Sequence, residues 1–186
     1  MNNKRKEALD LLNEHVKNTR MIAHSLASEA VMRKLALHLK ENEEEWGLCG
    51  LLHDIDVEIT NANPLTHGKE ARKLIASLEL NSEIIEAIEK HNEMSSSEPR
   101  SKIIDHALAA GETITGLIFA TAMVYPDKKI SSVKPKSVVK RMKEKSFAAS
   151  VKRENILECE IIGISINDFA TMSLEALSEI ETDLGF

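Results

Sequence analysis

The sequence predicts an all-α protein that folds as a single domain over residues 1–186. Apolar residues recur at helical spacing along almost the whole chain, whereas candidate strands are short and have no neighbouring partner in the sequence. A chain of 186 residues is long enough for one domain with a substantial core. Its 42% hydrophobic and 29% charged residues are typical of a soluble globular protein and exclude a disordered chain.

The first three predicted helices occupy the N-terminal part of the chain. The first covers about residues 3–16, the second begins near Thr19 and has a long apolar side, and the third covers residues 43–52. The doublet His53 and Asp54 follows the third helix directly, and an Asn-rich loop comes next.

Three more helices are predicted in the middle of the chain. Residues 66–78 form the fourth, and Asn81 is a good N-cap for a fifth that ends near His91. A long apolar helix rich in Ala and Gly follows over about residues 101–124. Small residues permit close helix packing, so we expect this helix to lie centrally in the core. The Tyr125-Pro126 pair ends it.

A strongly basic stretch over residues 128–153 precedes two more predicted helices. Its only acidic residue is Glu144. One interpretation is a local positive field that attracts a phosphorylated ligand, and the other is a solvated helix face. On the first interpretation the candidate substrate-binding residues are Lys140, Arg141 and Lys145. The last helix is predicted to begin at Ser165, where Asp168 completes a variant of the capping box.

Composition also limits the compartment and the partners. The N-terminus has no continuous apolar run followed by a cleavage site, so we expect a cytoplasmic protein with no membrane partner. Cys49 and Cys159 lack metal-finger spacing and are expected to be buried free thiols. The net charge of −6 argues against non-specific nucleic-acid binding. Assembly into a homo-oligomer stays open.

Histidines and carboxylates form the candidate site. His53 and Asp54 leave a buried helix end together, and this ligand pair suits Mn, Fe, Ni, Co, Zn or Mg. Without paired cysteines a structural zinc site is not expected, so the metal would be catalytic. A single histidine is more often a satisfied core or surface residue. Here, however, a series lies on successive predicted helices or at their ends: His24, His53, Asp54, His67, His91 and Glu112.

This ordered series resembles that of the HD-domain metal-dependent phosphohydrolases, and within them the small HDIG-type proteins. The matching segments are TRMIAHSLASEAVMRKLA, GLCGLLHDIDVE, THGKEARKLI and IIEAIEKHNE. Further on, HALAAGETITGLIFATAMVYPDKK is similar to the helix of the last metal ligand, and VKPKSVVKRMKEKSFAASVKRENI is similar to the family tail. The resemblance covers nearly the whole chain. It implies an HD helical bundle over about residues 18–125, with the basic segment and additional C-terminal helices over about 126–186.

The resemblance also implies the chemistry. The primary divalent metal would be held by His24, His53, Asp54 and Glu112. Asp54 would bridge to a second ion bound by His67 and His91, so Asp54, His67 and His91 are the expected catalytic residues. With one ion only, His67 and His91 are free to contact the phosphate or to act as general acid. The expected reaction is hydrolysis of a phosphomonoester or phosphodiester of a small phosphorylated metabolite, with a nucleotide as the expected substrate.

Two departures from the family pattern support an alternative. Glu112 stands where the family usually has Asp, and the extra methylene adds about 1.5 Å, which requires a displaced helix or weakens the primary site. Asn92 stands where relatives often have a second histidine. The alternative function is a non-catalytic regulatory module that binds a metal or a nucleotide. A helical interaction protein would leave the ordered histidine series unexplained.

Residues outside the family pattern are expected to be structural. We assign His15, His38 and His106 structural or solvent-facing roles, and Trp46 the role of a core anchor.

Overall fold

The computed structural model describes residues 3–186, and within that range the chain forms nine α-helices and two short 3-10 turns but no strand. In chain order the helices are α1 Asn3–His15, α2 Thr19–Leu39, α3 Glu43–Leu52, α4 Ala71–Leu74, α5 Ser82–Lys90, α6 Ile103–Met123, α7 Pro135–Met142, α8 Arg153–Ile161 and α9 Ile166–Glu179. The 3-10 turns lie at Ala76–Leu78 and Ile130–Ser132. The prediction of an all-α fold is confirmed.

Helix α6 lies at the centre of the core, as its composition predicted. It packs against α2, α5, α7, α8 and α9, and most of its residues are buried. By length and composition it is apolar enough to cross a bilayer, but 67% of its most apolar window is buried inside the protein. The apolar character of α6 is therefore accounted for by its place in the core.

A close approach of α3 to α2 positions the first part of the site. A Cβ atom added at Gly50 would lie only 2.5 Å from the carbonyl oxygen of Ser28 on α2, so glycine is required at this crossing. His24 lies one turn before Ser28, and His53 lies one turn after Gly50. The two histidines therefore face each other across the helix pair.

The predicted helix over residues 66–78 is wrong in its first half. Residues 66–70 form turns, α4 has only four residues, and a 3-10 turn follows. The buried carboxylate of Asp56 accepts hydrogen bonds from the backbone N–H groups of Gly68 and Glu70, and Gly68 has a positive φ of 97°. These contacts hold the backbone in a non-helical path that apolar periodicity does not reveal.

The C-terminal part has one more helix than predicted. The basic stretch itself forms α7, which begins at Pro135, a residue suited to the first helical turn. The predicted caps at Asn81 and Ser165 are confirmed, because each side chain accepts a backbone N–H of the first turn. Both cysteines are buried and free, and Trp46 is buried, as expected.

Candidate metal centre

The structure brings all six predicted metal ligands together. His24 comes from the middle of α2, His53 and Asp54 follow α3, and His91 follows α5. The other two are His67, in the turns before α4, and Glu112, on α6. Their ligand atoms form two adjacent groups of three, each with its atoms within 4.8 Å of one another: His24, His53 and Glu112, and Asp54, His67 and His91.

The spacing of the first group suits a metal ion. The Nε2 atoms of His24 and His53 are 3.2 Å apart, and Oε2 of Glu112 is 3.7 Å from Nε2 of His24. Ligands about 2.1 Å from a metal ion lie about 3 to 3.5 Å from one another. Glu112 therefore reaches the cluster despite its extra methylene.

Asp54 joins the two groups. Its Oδ1 lies 2.8 Å from Nε2 of His67 and 3.3 Å from Nε2 of His91. Its Oδ2 lies 3.6 Å from Nε2 of His24, and Oδ1 is 3.4 Å from Nε2 of His53. One carboxylate thus contacts both sets of imidazoles, which is the placement expected of a bridging ligand.

The histidine rings are held by their outer nitrogens. Nδ1 of His53 donates to the carbonyl oxygen of Gly50 at 2.8 Å, and Nδ1 of His91 donates to that of Ile88 at 2.6 Å. A carbonyl oxygen only accepts, so the proton of each neutral ring is assigned to Nδ1. The unprotonated Nε2 atoms then point into the centre, as in histidine ligands whose other nitrogen is hydrogen-bonded to the protein.

Thr115 fixes His24 in the same way. The hydroxyl of Thr115 donates to the carbonyl oxygen of Glu112 at 2.7 Å, so it accepts from Nδ1 of His24 at 2.9 Å. The lone pairs of His24 and His53 consequently face each other at Nε2. Burial lowers the pKa of His53 to about 3, which keeps this ring neutral. Two facing lone pairs repel unless a cation lies between them, so this donor set fits a divalent metal ion.

The carboxylates also fit a cation. Burial works against ionisation of Asp54, but the surrounding imidazoles, among them His67 with its hydrogen bond to Oδ1, outweigh it and hold the pKa of Asp54 well below its usual range. Burial raises the pKa of Glu112, so its ionised form needs a nearby positive charge. A divalent ion coordinated by both carboxylates would supply that charge.

Asp56 was missed by the sequence reasoning. It is fully buried, its Oδ2 accepts the N–H groups of Gly68 at 2.8 Å and Glu70 at 3.1 Å, and its Oδ1 lies 2.8 Å from Nδ1 of His67. Asp56 Oδ1 and His67 Nδ1 are close, but the contact is not aligned well enough to count as a hydrogen bond, and neither atom has another partner. Burial opposes the charge on His67, but Asp54 and Asp56 outweigh it and raise the pKa of His67 to about 10. A metal ion at His67 therefore competes with a proton.

We expect Asp56→Asn to weaken metal binding at Asp54, His67 and His91 by about tenfold to hundredfold, as is typical when the partner of a ligating histidine is lost. The amide keeps the size of the side chain but removes the charge that orients His67. Metal affinity, measured by competition with a chelator, tests this. Asp10→Asn on the exposed face of α1 is the matched control. Wild-type affinity in a folded Asp56→Asn protein would contradict the role.

Asn92, the second departure from the family pattern, holds the segment that carries His67. Its Nδ2 donates to the carbonyl oxygens of Pro64 at 2.8 Å and His67 at 3.0 Å. The hydroxyl of Ser95 donates to the same oxygen of His67 at 2.6 Å. Asn92 therefore holds the backbone of the segment that carries His67. A histidine at this position would instead offer a metal ligand or a proton carrier.

An open cavity of about 300 Å³ lies over the two groups. Five of the six predicted ligands, all except His53, line this cavity. Its other lining residues are Asn92, Glu93, Thr113, Gly116, Ser150, Val151, Lys152 and Asn155. The structure does not bring Lys140, Arg141 or Lys145 into this lining. Arg141 instead pairs with Glu144, and its guanidinium carbon lies 4.2 Å from the centre of the Phe147 ring. The lysine that lines the cavity is Lys152, which the charge pattern of the basic stretch does not distinguish from its neighbours.

The three remaining histidines lie outside the centre. His38 is exposed and His15 is partly buried. Nδ1 of His106 lies 2.7 Å from Oε2 of Glu158. None of the three lines the cavity or belongs to either ligand group.

An all-α fold with a buried histidine and carboxylate centre built around a His-Asp doublet defines the class of HD-type metal-binding domains. Residues 21–122 match the HD domain family, which is more than half of the chain, so the protein belongs to that family. HD domains bind divalent metals and are generally metal-dependent hydrolases. No curated protein and no solved structure matches the chain.

Proposed function

We propose that the protein is a metal-dependent phosphohydrolase that acts on a small phosphorylated metabolite. The observation that carries the proposal is the pair of adjacent ligand groups, both contacted by Asp54, beneath a single open cavity. A pair of divalent ions held by these residues would supply an activated water and would neutralise charge that develops on the reacting oxygens. This is the help that hydrolysis of a phosphate ester requires.

The protein's own groups have distinct parts in this proposal. Asp54 contacts both ligand groups, and the hydrogen bonds at Nδ1 of His24, His53 and His91 leave the three Nε2 atoms free to bind a metal ion. If the group of His24, His53 and Glu112 alone is loaded, His67, whose pKa is raised to about 10, keeps a proton that it can donate to the phosphate or to the leaving alkoxide. His91 would need a second proton, at Nε2, to do the same.

A nucleotide is the substrate predicted from the family resemblance. The cavity lining, as far as the structure describes it, contains no Phe, Tyr or Trp side chain on which a base could stack. Nucleotides and phosphorylated sugars therefore both belong in the test. The chelator-treated protein is reloaded separately with Mn, Fe, Co, Ni, Mg or Zn and assayed for phosphate release from both substrate classes.

We expect at least one metal to support turnover and Asp54→Asn to abolish it, while the exposed control Asp10→Asn keeps full activity. Turnover that persists after complete metal removal would contradict the proposal. So would a reloaded protein that releases no phosphate from any member of the panel.

The second candidate is a non-catalytic module that binds a metal or a nucleotide and regulates a partner. The observation that favours it is the pair of departures at Glu112 and Asn92, of which Asn92 makes structural hydrogen bonds in place of a possible catalytic group. Stoichiometric metal and saturable nucleotide binding, measured by calorimetry, without phosphate release would support this candidate.

A further inference from the structure

Lys152 is the one lysine or arginine among the described residues that line the cavity. It precedes α8, its side chain is half exposed, and its Nζ pairs with the carboxylate of Glu93 on the cavity rim. The same lining contains three carboxylates, those of Asp54, Glu93 and Glu112. A phosphorylated ligand that enters this cavity therefore meets a single ammonium group.

Arg153 holds the loop that carries Lys152. Its Nη1 donates to the carbonyl oxygens of Ala148 and Val151, both at 2.7 Å, and its Nη2 donates to that of Phe147. One guanidinium thus ties residues 147–151 to the start of α8. The two neighbouring basic residues therefore differ in their contacts. Arg153 binds carbonyl oxygens of the loop, whereas Lys152 lines the cavity.

The same loop is fixed against the helix that carries Glu112. A Cβ atom added at Gly116 would lie 3.3 Å from Cγ2 of Val151, so the loop lies close to α6 one turn beyond Glu112. Gly116, Val151 and Glu112 all line the cavity. The loop consequently forms a fixed wall of the cavity beside the metal ligands.

Glu93 does not depend on Lys152 for a partner. Nη2 of Arg100 lies 3.1 Å from Oε2 of Glu93 and also donates to the carbonyl oxygen of His91 at 2.6 Å. The Lys152–Glu93 pair is about half exposed, and exposed ion pairs are weak. Lys152 can therefore leave Glu93 for a better anion while Arg100 still neutralises that carboxylate.

We propose that Lys152 exchanges Glu93 for the substrate phosphate and makes the site selective for phosphomonoesters over phosphodiesters; this rests on the proposed phosphohydrolase function. A monoester phosphate carries between one and two negative charges near pH 7 and has three non-bridging oxygens. A diester has one charge and two such oxygens. In a lining with three carboxylates, the additional charge and oxygen of the monoester require a further cation, and Lys152 is the cation in reach.

The test uses the metal-reloaded protein with p-nitrophenyl phosphate as monoester and bis-p-nitrophenyl phosphate as diester. Lys152→Met removes the charge and keeps the aliphatic length. We expect it to lower kcat/KM for the monoester by about tenfold to hundredfold, the usual value of a hydrogen bond to a charged group. The diester should change by less than about threefold, since it lacks the additional charge. Lys136→Met, an exposed lysine of α7 outside the cavity lining, is the matched control.

Glu93→Gln separates a binding role from a structural one. It removes the competing carboxylate, so the affinity for inorganic phosphate should rise by about twofold to fivefold. A lysine that only stabilised the loop would gain nothing from this change. Lys152→Arg should retain most of the phosphate affinity.

Calorimetry with inorganic phosphate keeps this inference separate from the proposed function. Lys152-dependent phosphate binding by a protein that hydrolyses neither ester would support the role of Lys152 and refute the phosphohydrolase. Equal losses for both esters in Lys152→Met would overturn the selectivity. Unchanged phosphate affinity in Lys152→Met, or a loss in Lys140→Met instead, would overturn the binding role.

Discussion

Replacing Asp54 by asparagine is expected to remove the bound divalent metal completely. Its two oxygens lie within 2.8 to 3.6 Å of the Nε2 atoms of His24, His53, His67 and His91, so no other side chain contacts both ligand groups so fully. The amide keeps the shape but loses the charge and one acceptor. Elemental analysis of the purified protein measures the result as metal per chain, which should fall to background.

A partial variant makes this prediction sharper. His91→Gln removes one ligand of the second group and leaves His24, His53 and Glu112 intact. If the wild-type protein holds two metal ions, we expect this variant to lose one of them. If the wild type holds an ion only at His24, His53 and Glu112, the metal content should not change. Asp10→Asn should retain the wild-type content. Full metal content in a folded Asp54→Asn protein would show that Asp54 does not bridge.

The sequence predicted which histidines and carboxylates lie together because they follow the order of a known family, and His53, Asp54 and His91 come directly after helix ends. His53 comes directly after α3 and His91 directly after α5, and both helices end where their patterns indicated. Helix ends are set by local signals such as N-caps and apolar spacing. The placement of these two imidazoles could therefore be read from neighbouring residues alone.

Asp56 could not be identified in this way. Its partners are the N–H groups of Gly68 and Glu70 and the ring of His67, all at least eleven residues further along the chain. No local pattern distinguishes such a carboxylate from an ordinary turn residue. The one available signal was a second carboxylate two residues after Asp54 in the segment HDID. The same long-range hydrogen bonds overrode the apolar periodicity that predicted a helix from residue 66.

The basic segment shows a different limit. The charge pattern predicts a positive stretch but does not reveal which side chains face the cavity. Arg153 is directed inward by backbone carbonyl oxygens, and Arg141 is held by Glu144 and Phe147. Of these three basic residues, only Lys152 lines the cavity. These orientations depend on how the loop folds against α6, which is a tertiary property.

Shortening Glu112 to aspartate is expected to weaken the first metal group, although aspartate is the usual residue of the family. From the sequence alone, the longer side chain indicates a displaced helix or a weakened primary site. In the structure the Glu112 carboxylate already lies 3.7 Å from Nε2 of His24, and its Oε1 accepts a hydrogen bond from Thr113. Removing one methylene withdraws the carboxylate by about 1.5 Å.

Helix α6 cannot easily follow the shorter side chain. A Cβ atom at Gly111 would lie 3.2 Å from Sδ of Met32 and 3.4 Å from Cγ1 of Val31, so α6 and α2 are already in tight contact next to the site. We therefore expect Glu112→Asp to reduce metal affinity by about tenfold or more. Glu112→Gln keeps the length and removes the charge, so comparing the two variants separates reach from charge. Tighter binding in Glu112→Asp than in wild type, measured by chelator competition, would show instead that α6 moves towards the ion.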